Sequence, residues 1–418
     1  MKKIILFFFA TAIAIGISGL LVYKFRHHAF ITRITDNRFY LNEINQISKA
    51  TDLFFFPLYF YSNQLPQYAL LIDPLDLISL EDSLPKSNQI NLVAGFSQKI
   101  PATFIDDQGQ EYSVKLSYRG NNATHWGYEK KSYRIEFSSS KIFKDLHSLD
   151  LIIPEDRGLV LEHLANFRAK NLNLLAPDSW FVNLSINHQP LSIYYATEKI
   201  DNDFIDRRNL KGTLFKEKDS TDNWNKSIFK DVQDWRAYPN NPDNPDYQVL
   251  EKLLLTLNTS ESTSEDLLNL IDLDNFLSWQ VHSILMASIH QDKSHNNNLF
   301  YNHQLNKFQF IPWDTGQRDM VSTKLNKLYH PIVDFLLRDD LIKQKRNSLL
   351  KDYLLNSTYY QQDIDLFNQS INQIYIPLIQ DKQKFYPNIK YIIDIKNYRN
   401  WINNYSTILK SQLDSDEK

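Results

Sequence analysis

The sequence predicts an α+β protein in which a small sheet-rich part precedes a larger helical part, with an apolar segment at the N-terminus. Three observations lead to this fold class. Within residues 91–216, several segments alternate apolar and polar side chains, which is typical of strands with one buried face. From residue 217 onward, apolar residues mostly recur at helical spacing. Residues 4–23 are apolar and carry no charge.

Length and composition exclude several classes of protein. The chain has 418 residues, of which 43% are hydrophobic and 13% aromatic, enough for one large or two ordinary domains with a real core. Its 46 basic and 49 acidic residues give a net charge of -3, so no strong field favours nucleic acid as a partner. The absence of cysteine excludes disulfides, thiolate metal sites and a cysteine nucleophile.

The N-terminal segment has the length of a membrane span. Twenty apolar residues, 4–23, lie between two lysines and a second basic pair, and about twenty are needed to cross a bilayer core. A signal peptide is the alternative, but the bulky residues 20–23 do not resemble a cleavage site. We therefore expect residues 1–23 to be an uncleaved membrane anchor, followed by a packed lead-in segment over residues 24–90.

The sheet-rich part, residues 91–216, begins with a hairpin. Residues 102–105 and 112–118 are predicted strands around a turn at 106–109, and a further strand follows at 131–137. Residues 159–174 have helical spacing, with Glu162 on the more polar side. The remaining predicted strands are residues 180–186 and 191–197.

The helical part, residues 217–418, follows a segment that breaks regular structure. Residues 239–245 contain three prolines, which excludes a helix and marks a boundary or lid. Beyond it, the spacing predicts helices at 250–257 and 264–289 and helical structure from about 329 to 413. A hairpin formed by residues 298–302 and 307–311 interrupts them.

The polar residues between the second of these helices and the hairpin are the candidate site. Asp292 and Asn297 stand as D-x-x-x-x-N, and Asp314 follows the hairpin within D-x-G. Burying such groups without partners costs about 1–3 kcal/mol each, so this stretch is exposed or binds something. Protein kinases use the same order of polar groups. We expect Asp292 to be the catalytic carboxylate, and Asn297 and Asp314 to be oxygen ligands of Mg²⁺.

Phosphoryl transfer also needs a cation on the phosphates. Lys130 is the first candidate because it lies on the polar side of the strand at 131–137, and Lys131 replaces it if the register shifts by one residue. Arg119 is the second candidate. The ordinary alternatives are exposed charges at a strand edge for the lysines and a simple turn for Arg119.

Two other interpretations of the polar stretch stay open. His290 and His295 are candidate zinc ligands together with Asp292, although a third well-spaced ligand is missing. Residues 296–298 are three asparagines, which are also common as exposed loop residues.

The chain resembles the CotH kinase family, an atypical relative of the protein-kinase fold. The matching patches are residues 118–121 with 130–135, 181–184 with 194–201, 292–301, and 311–314. The resemblance implies two lobes, a sheet-rich N-lobe and a helical C-lobe. It implies ATP-dependent phosphorylation of Ser or Thr on protein targets with Mg²⁺ or Mn²⁺. It places Asp292 and Asp314 on the two essential acidic positions, Asn297 on the metal-binding amide, and Glu198 near the nucleotide.

Three residues test how far the resemblance extends. Ser192 stands where the family usually has glycine, and Gln291 where ordinary kinases have arginine. Glu162 is a candidate partner of the lysine. We expect a membrane-anchored, extracytoplasmic kinase that acts on an envelope or surface protein. The alternatives are a catalytically silent scaffold for envelope assembly, and nucleotidyl transfer by the same site.

Overall fold

The structure is a computed structural model that describes residues 48–84, 98–120, 124–218, 226–239, 241, 243–316, 325 and 330–416. Eleven strands within these residues form two sheets. The strands are β1 (Gln67–Leu71), β2 (Ile100–Ile105), β3 (Glu111–Tyr118), β4 (Tyr133–Phe137), β5 (Ser148–Ile152), β6 (Ser179–Ile186), β7 (Ser192–Glu198), β8 (Gly212–Glu217), β9 (Trp235–Tyr238), β10 (Asn298–Asn302) and β11 (Lys307–Phe310).

Ten α-helices surround the sheets in the described part of the chain. They are α1 (Pro74–Asp82), α2 (Leu161–Asn171), α3 (Asn202–Asp206), α4 (Asp246–Asn258), α5 (Ser264–Leu268), α6 (Leu273–Leu285), α7 (Pro331–Leu336), α8 (Asp340–Leu355), α9 (Ser357–Gln380) and α10 (Asn388–Asp416). Short 3-10 helices lie at Lys49–Phe60, Pro154–Arg157, Ile228–Lys230 and Val232–Asp234.

Seven strands close into a barrel, in the order β1, β2, β3, β4, β5, β7 and β6. Strand β1 closes it, because β1 pairs antiparallel with β2 on one side and parallel with β6 on the other. Aromatic rings fill the interior: the ring of Phe104 lies 5.2 Å from those of Tyr68 and Phe143 and 5.5 Å from that of Phe137. The inward-facing side chains of the barrel strands therefore form one apolar core.

A second sheet of four strands, in the order β11, β10, β8 and β9, carries the hairpin predicted after the polar stretch. Strand β10 pairs with β8, which comes well before the polar stretch in the chain. The polar stretch therefore ends on a sheet that combines strands from before it and after it in the sequence.

The barrel and the C-terminal helices share buried contacts. Ile152, Phe181 and Ile193 of the barrel strands lie in one buried cluster with Phe367 and Ile371 of α9. The prediction of two lobes, one a small sheet and the other helical, is therefore wrong. Alternation within each strand indicates a buried face, but it carries no information on the parallel β1–β6 pairing that closes the sheet.

No helix among the described residues is both long and apolar enough to cross a membrane. The longest of them, α9 and α10, carry polar and charged residues throughout. The described residues therefore give no support to the predicted transmembrane helix or to the membrane localisation. Residues 4–23, on which that prediction was based, lie outside the described residues.

Most predicted elements of regular structure are confirmed. The strands predicted at 112–118, 180–186, 191–197 and 298–302 correspond to β3, β6, β7 and β10. The helix predicted over 264–289 is instead two helices, α5 and α6. Asp272 starts the second of them by accepting a hydrogen bond from the backbone N–H of Asn275.

Candidate functional site

Gln291 holds the polar stretch, which begins after α6, in place. Its side chain is buried and accepts a hydrogen bond from Trp279 Nε1 over 2.8 Å. Its Nε2 donates to the backbone oxygens of Asn296, at 2.9 Å, and Ile311, at 3.2 Å. Gln291, which stands where ordinary kinases have arginine, thus connects the loop to the segment that precedes Asp314.

Asp292 lies at the surface end of this loop, with 28% of its side chain exposed. Its Oδ1 accepts hydrogen bonds from the backbone N–H groups of Ser294, at 2.7 Å, and His295, at 2.9 Å, and lies 3.2 Å from His295 Nδ1. Burial raises the pKa of Asp292, but the hydrogen bonds from His295 and Ser294 outweigh it and leave the pKa below its ordinary value. The carboxylate is therefore charged at neutral pH.

Asn297 binds the loop itself. Its Nδ2 donates to the backbone oxygens of Asp292, at 2.7 Å, and His295, at 2.8 Å. Its Oδ1, the predicted metal ligand, lies 3.0 Å from Nε2 of His330, which is fully buried. Burial lowers the pKa of His330 to about 3, so this imidazole is neutral and Nε2 is the donor.

Asp314 follows β11 and adopts a left-handed backbone conformation, with φ +57°. Such a conformation is uncommon for a residue with a Cβ, although Asp and Asn adopt it more readily than other side chains. Its Oδ1 forms an ion pair with Nη1 of Arg157. Its Oδ2 lies 3.2 Å from Nδ1 of His290 and 3.4 Å from Nδ2 of Asn296. The amide beside Asp314 is thus that of Asn296, one residue before the predicted one.

Glu162 of α2 fixes the D-x-G turn. Its Oε1 accepts the N–H of Asp314 at 3.0 Å, and its Oε2 accepts that of Gly316 at 2.5 Å. A Cβ on Gly316 would lie 2.3 Å from the backbone nitrogen of Glu162, so only glycine fits here. Glu162 is 2% exposed, which corrects its predicted place on the polar side of the helix.

We expect Glu162→Gln to lower both stability and catalytic rate. Glutamine keeps one acceptor, but its NH₂ group meets an N–H donor, which leaves a buried donor unpaired at a cost of about 1–3 kcal/mol. Burial raises the pKa of the Glu162 carboxyl above its ordinary value, against the opposing effects of the Arg157 charge and the Gly316 N–H. Urea unfolding and initial rates measure the two quantities. Unchanged values in both would contradict the role of Glu162 in holding the turn.

The structure places Lys130 away from these groups, in a buried ion pair. Its Nζ lies 2.6 Å from Oδ2 of Asp381, and the two side chains are 2% and 0% exposed. The amino group also lies 5.0 Å from the ring centre of Tyr194. Lys131, the alternative, contacts Glu81 at 3.2 Å. Neither lysine has a recorded contact with Asp292 or Asp314 among the described residues.

Lys130→Met is expected to destabilise the protein by about 3–5 kcal/mol, because it leaves Asp381 buried without its cation. Adding Asp381→Asn should restore part of the loss. Thermal unfolding and nucleotide binding, measured on both variants, separate the two roles of Lys130. Loss of nucleotide binding at unchanged stability would support Lys130 as the phosphate-binding cation instead.

Two arginines stack near the site. The guanidinium carbon of Arg157 lies 5.5 Å from the ring centre of Trp313, and that of Arg119 lies 5.7 Å from it. Arg119 Nε also pairs with Asp150 of the barrel at 2.9 Å. Of the three cations considered from sequence, the structure thus brings Arg119 nearest to the D-x-G segment.

Glu198, at the end of β7, lies among arginines. Its Oε1 accepts from Arg207 at 3.0 Å and from Arg208 at 2.9 Å, and its Oε2 accepts from Arg208 at 2.8 Å. The side chain is 2% exposed. These contacts give Glu198 a part in joining β7 to the segment after α3, and no contact with Asp292 or Asp314 is recorded among the described residues.

Neither the place of Arg157 beside Asp314 nor that of Asn296 was predicted from the sequence. A signal for Arg157 existed: residues 154–158 form a charged run that ends in glycine directly before the predicted helix of Glu162. For the zinc interpretation, the described residues contain no group of three or more His, Cys, Asp or Glu side chains arranged to hold a metal ion.

Comparison with known proteins identifies the family of the chain. No curated protein matches the chain. The family model described as CotH kinase protein matches residues 116–408, a range that includes Asp292, Asp314, Glu162 and Arg157. Since this match covers more than half of the 418 residues, the chain belongs to the CotH kinase family.

Proposed function

We propose that this protein transfers the γ-phosphoryl group of ATP to a Ser or Thr hydroxyl of a protein substrate. One observation carries the proposal: the hydrogen bonds of Gln291 and the contacts of Asn296 connect the loop of Asp292 to Asp314. Phosphoryl transfer depends on positioned charge near the acceptor and the phosphates, and this arrangement supplies two fixed carboxylates.

Asp314 fits a divalent metal ion. Mg²⁺ at nucleotide sites is held by one or two carboxylates together with phosphate oxygens, so a cluster of three acidic side chains is not required. Asp314 Oδ2 and the side-chain amide of Asn296 would hold the ion, with the amide turned to present its oxygen. When bound, the ion neutralises charge on the phosphates. Asn297, whose oxygen contacts His330, would orient the loop.

Asp292 would receive the acceptor hydroxyl. The three hydrogen bonds to its carboxylate from described residues all reach Oδ1, which leaves Oδ2 for the acceptor. Its lowered pKa keeps it ionised, so it can orient the hydroxyl and take its proton. Glu162 would keep Asp314 in place through the backbone.

The decisive experiment incubates the full-length protein with Mg²⁺ or Mn²⁺ and with γ-labelled or α-labelled ATP, plus a protein acceptor such as casein. Label transferred from the γ position only is the expected result. Transfer from the α position would instead establish nucleotidyl transfer. No transfer together with no ATP binding would overturn the proposal in favour of a silent scaffold.

A further inference from the structure

We propose that Arg157 is a phosphate-binding residue of the nucleotide site, and that it moves from Asp314 to the phosphates when a divalent metal ion binds Asp314. This inference rests on the proposed kinase function. Its ligand is the polyphosphate of a nucleoside triphosphate. Arg157 thereby takes the place that the sequence analysis gave to Lys130.

The position of Arg157 in the fold supports a role in the site. It lies at the end of the 3-10 helix Pro154–Arg157, directly before α2, and is 3% exposed. A Cβ on Gly158 would lie 2.9 Å from the backbone oxygen of Gly316, so this turn is packed against the D-x-G segment. The 3-10 helix before α2 thus brings the guanidinium of Arg157 to the carboxylate of Asp314, whose backbone is held by Glu162 of α2.

The side chains next to Arg157 also suit the binding of an anion. Arg157 and Arg119 both lie over the Trp313 ring, at 5.5 and 5.7 Å from its centre. Arg119 Nη1 is buried and has no hydrogen-bond partner among the described residues. Two stacked guanidinium groups with a buried unpaired donor form a site suited to an anion, because guanidinium groups bind phosphate in bidentate fashion and stack on aromatic faces.

The charge on Asp314 explains why Arg157 would move when a metal ion binds. A carboxylate that is 13% exposed requires a nearby positive charge, and Arg157 supplies it here. A divalent ion bound to Asp314 would replace that charge and repel the guanidinium. Arg157 would keep two contacts while its guanidinium moves towards the phosphates. Its Nε lies 3.5 Å from Asp156 Oδ2, and its guanidinium lies over the Trp313 ring.

An exclusively structural role makes a different prediction. If Arg157 only neutralised Asp314, its removal would weaken the fold and change the binding of metal and nucleotide in the same direction. Movement of Arg157 to the phosphates predicts that its removal changes the two kinds of binding in opposite directions. The metal ion alone should bind more tightly, because Arg157 competes with it for Asp314, and the nucleotide complex should bind more weakly, because Arg157 contacts the phosphates.

The test uses the full-length protein with Arg157→Gln and Arg157→Lys. Mn²⁺ binding without nucleotide is followed by electron paramagnetic resonance, and binding of Mg²⁺ with a non-hydrolysable ATP analogue by calorimetry. Arg399→Gln, which removes an exposed arginine of α10, is the control for loss of one positive charge. Thermal unfolding establishes that each variant is folded.

We expect Arg157→Gln to bind Mn²⁺ more tightly and the nucleotide complex about 10- to 100-fold more weakly, with partial recovery of nucleotide binding in Arg157→Lys. Unchanged nucleotide binding in both variants, while the unaltered protein binds the analogue, would overturn the role of Arg157 alone. Weaker Mn²⁺ binding in both Arg157 variants would overturn the movement of Arg157 from Asp314 to the phosphates. Absence of nucleotide binding by the unaltered protein would overturn the proposed function itself.

Discussion

Asp292→Asn is expected to lower the rate of phosphoryl transfer by about 10²–10⁴-fold while leaving the fold intact. Asparagine retains an Oδ1 that accepts the N–H groups of Ser294 and His295, so the loop keeps its conformation. It loses the charge and the basicity that the acceptor hydroxyl requires. The effect should therefore fall on kcat, with little change in the KM for ATP.

Initial rates with γ-labelled ATP measure this effect, and urea unfolding measures stability. Asp274→Asn is the matched control, because Asp274 is an exposed carboxylate of α6, the helix that leads into the same loop. A variant at position 292 that kept most of its kcat would refute Asp292 as the catalytic carboxylate.

Asp314→Asn is expected to abolish metal binding and to lower kcat by at least about 10²–10³-fold, because a fixed charge on the phosphates is lost with the ion. It should also cost stability, since the buried Arg157 then keeps Asp156 but loses its ion pair with Asp314. Mn²⁺ titration and initial rates measure the two functional effects.

The double variant Arg157→Gln/Asp314→Asn distinguishes stability from function at this position. Removing both charges should recover stability without recovering metal binding or transfer. Activity that returned with stability would indicate that Asp314 acts only through the fold.

The sequence was sufficient to locate the candidate loop. The sequence predicted a hairpin between Asn297 and Asp314, and β10 and β11 occupy the predicted places. These elements were predictable because strand alternation and turn chemistry act over a few residues. The D-x-G glycine is needed for a reason that is not local, since Glu162 packs against it.

The remaining features depend on contacts between distant residues. The pairing of Lys130 with Asp381 joins residues 251 positions apart, and no local pattern signals it. The role of Arg157 could not be predicted from local sequence either, because its partner Asp314 lies on a different element. Asn296 and Asn297 are neighbours of identical chemistry, and only the left-handed conformation of Asn296, with φ +59°, directs one side chain to Asp314 and the other to His330.

The closure of the barrel by β1 has a consequence for the order in which the chain folds. Gln67 is paired in register with Asn183, so β1, the first of the described strands, gains its second partner, β6, only after more than a hundred further residues have been made. Asp381, which neutralises Lys130, is made later still. The contacts of the barrel are therefore completed only after α9 has been synthesised, and this late helix secures strands that were made long before it.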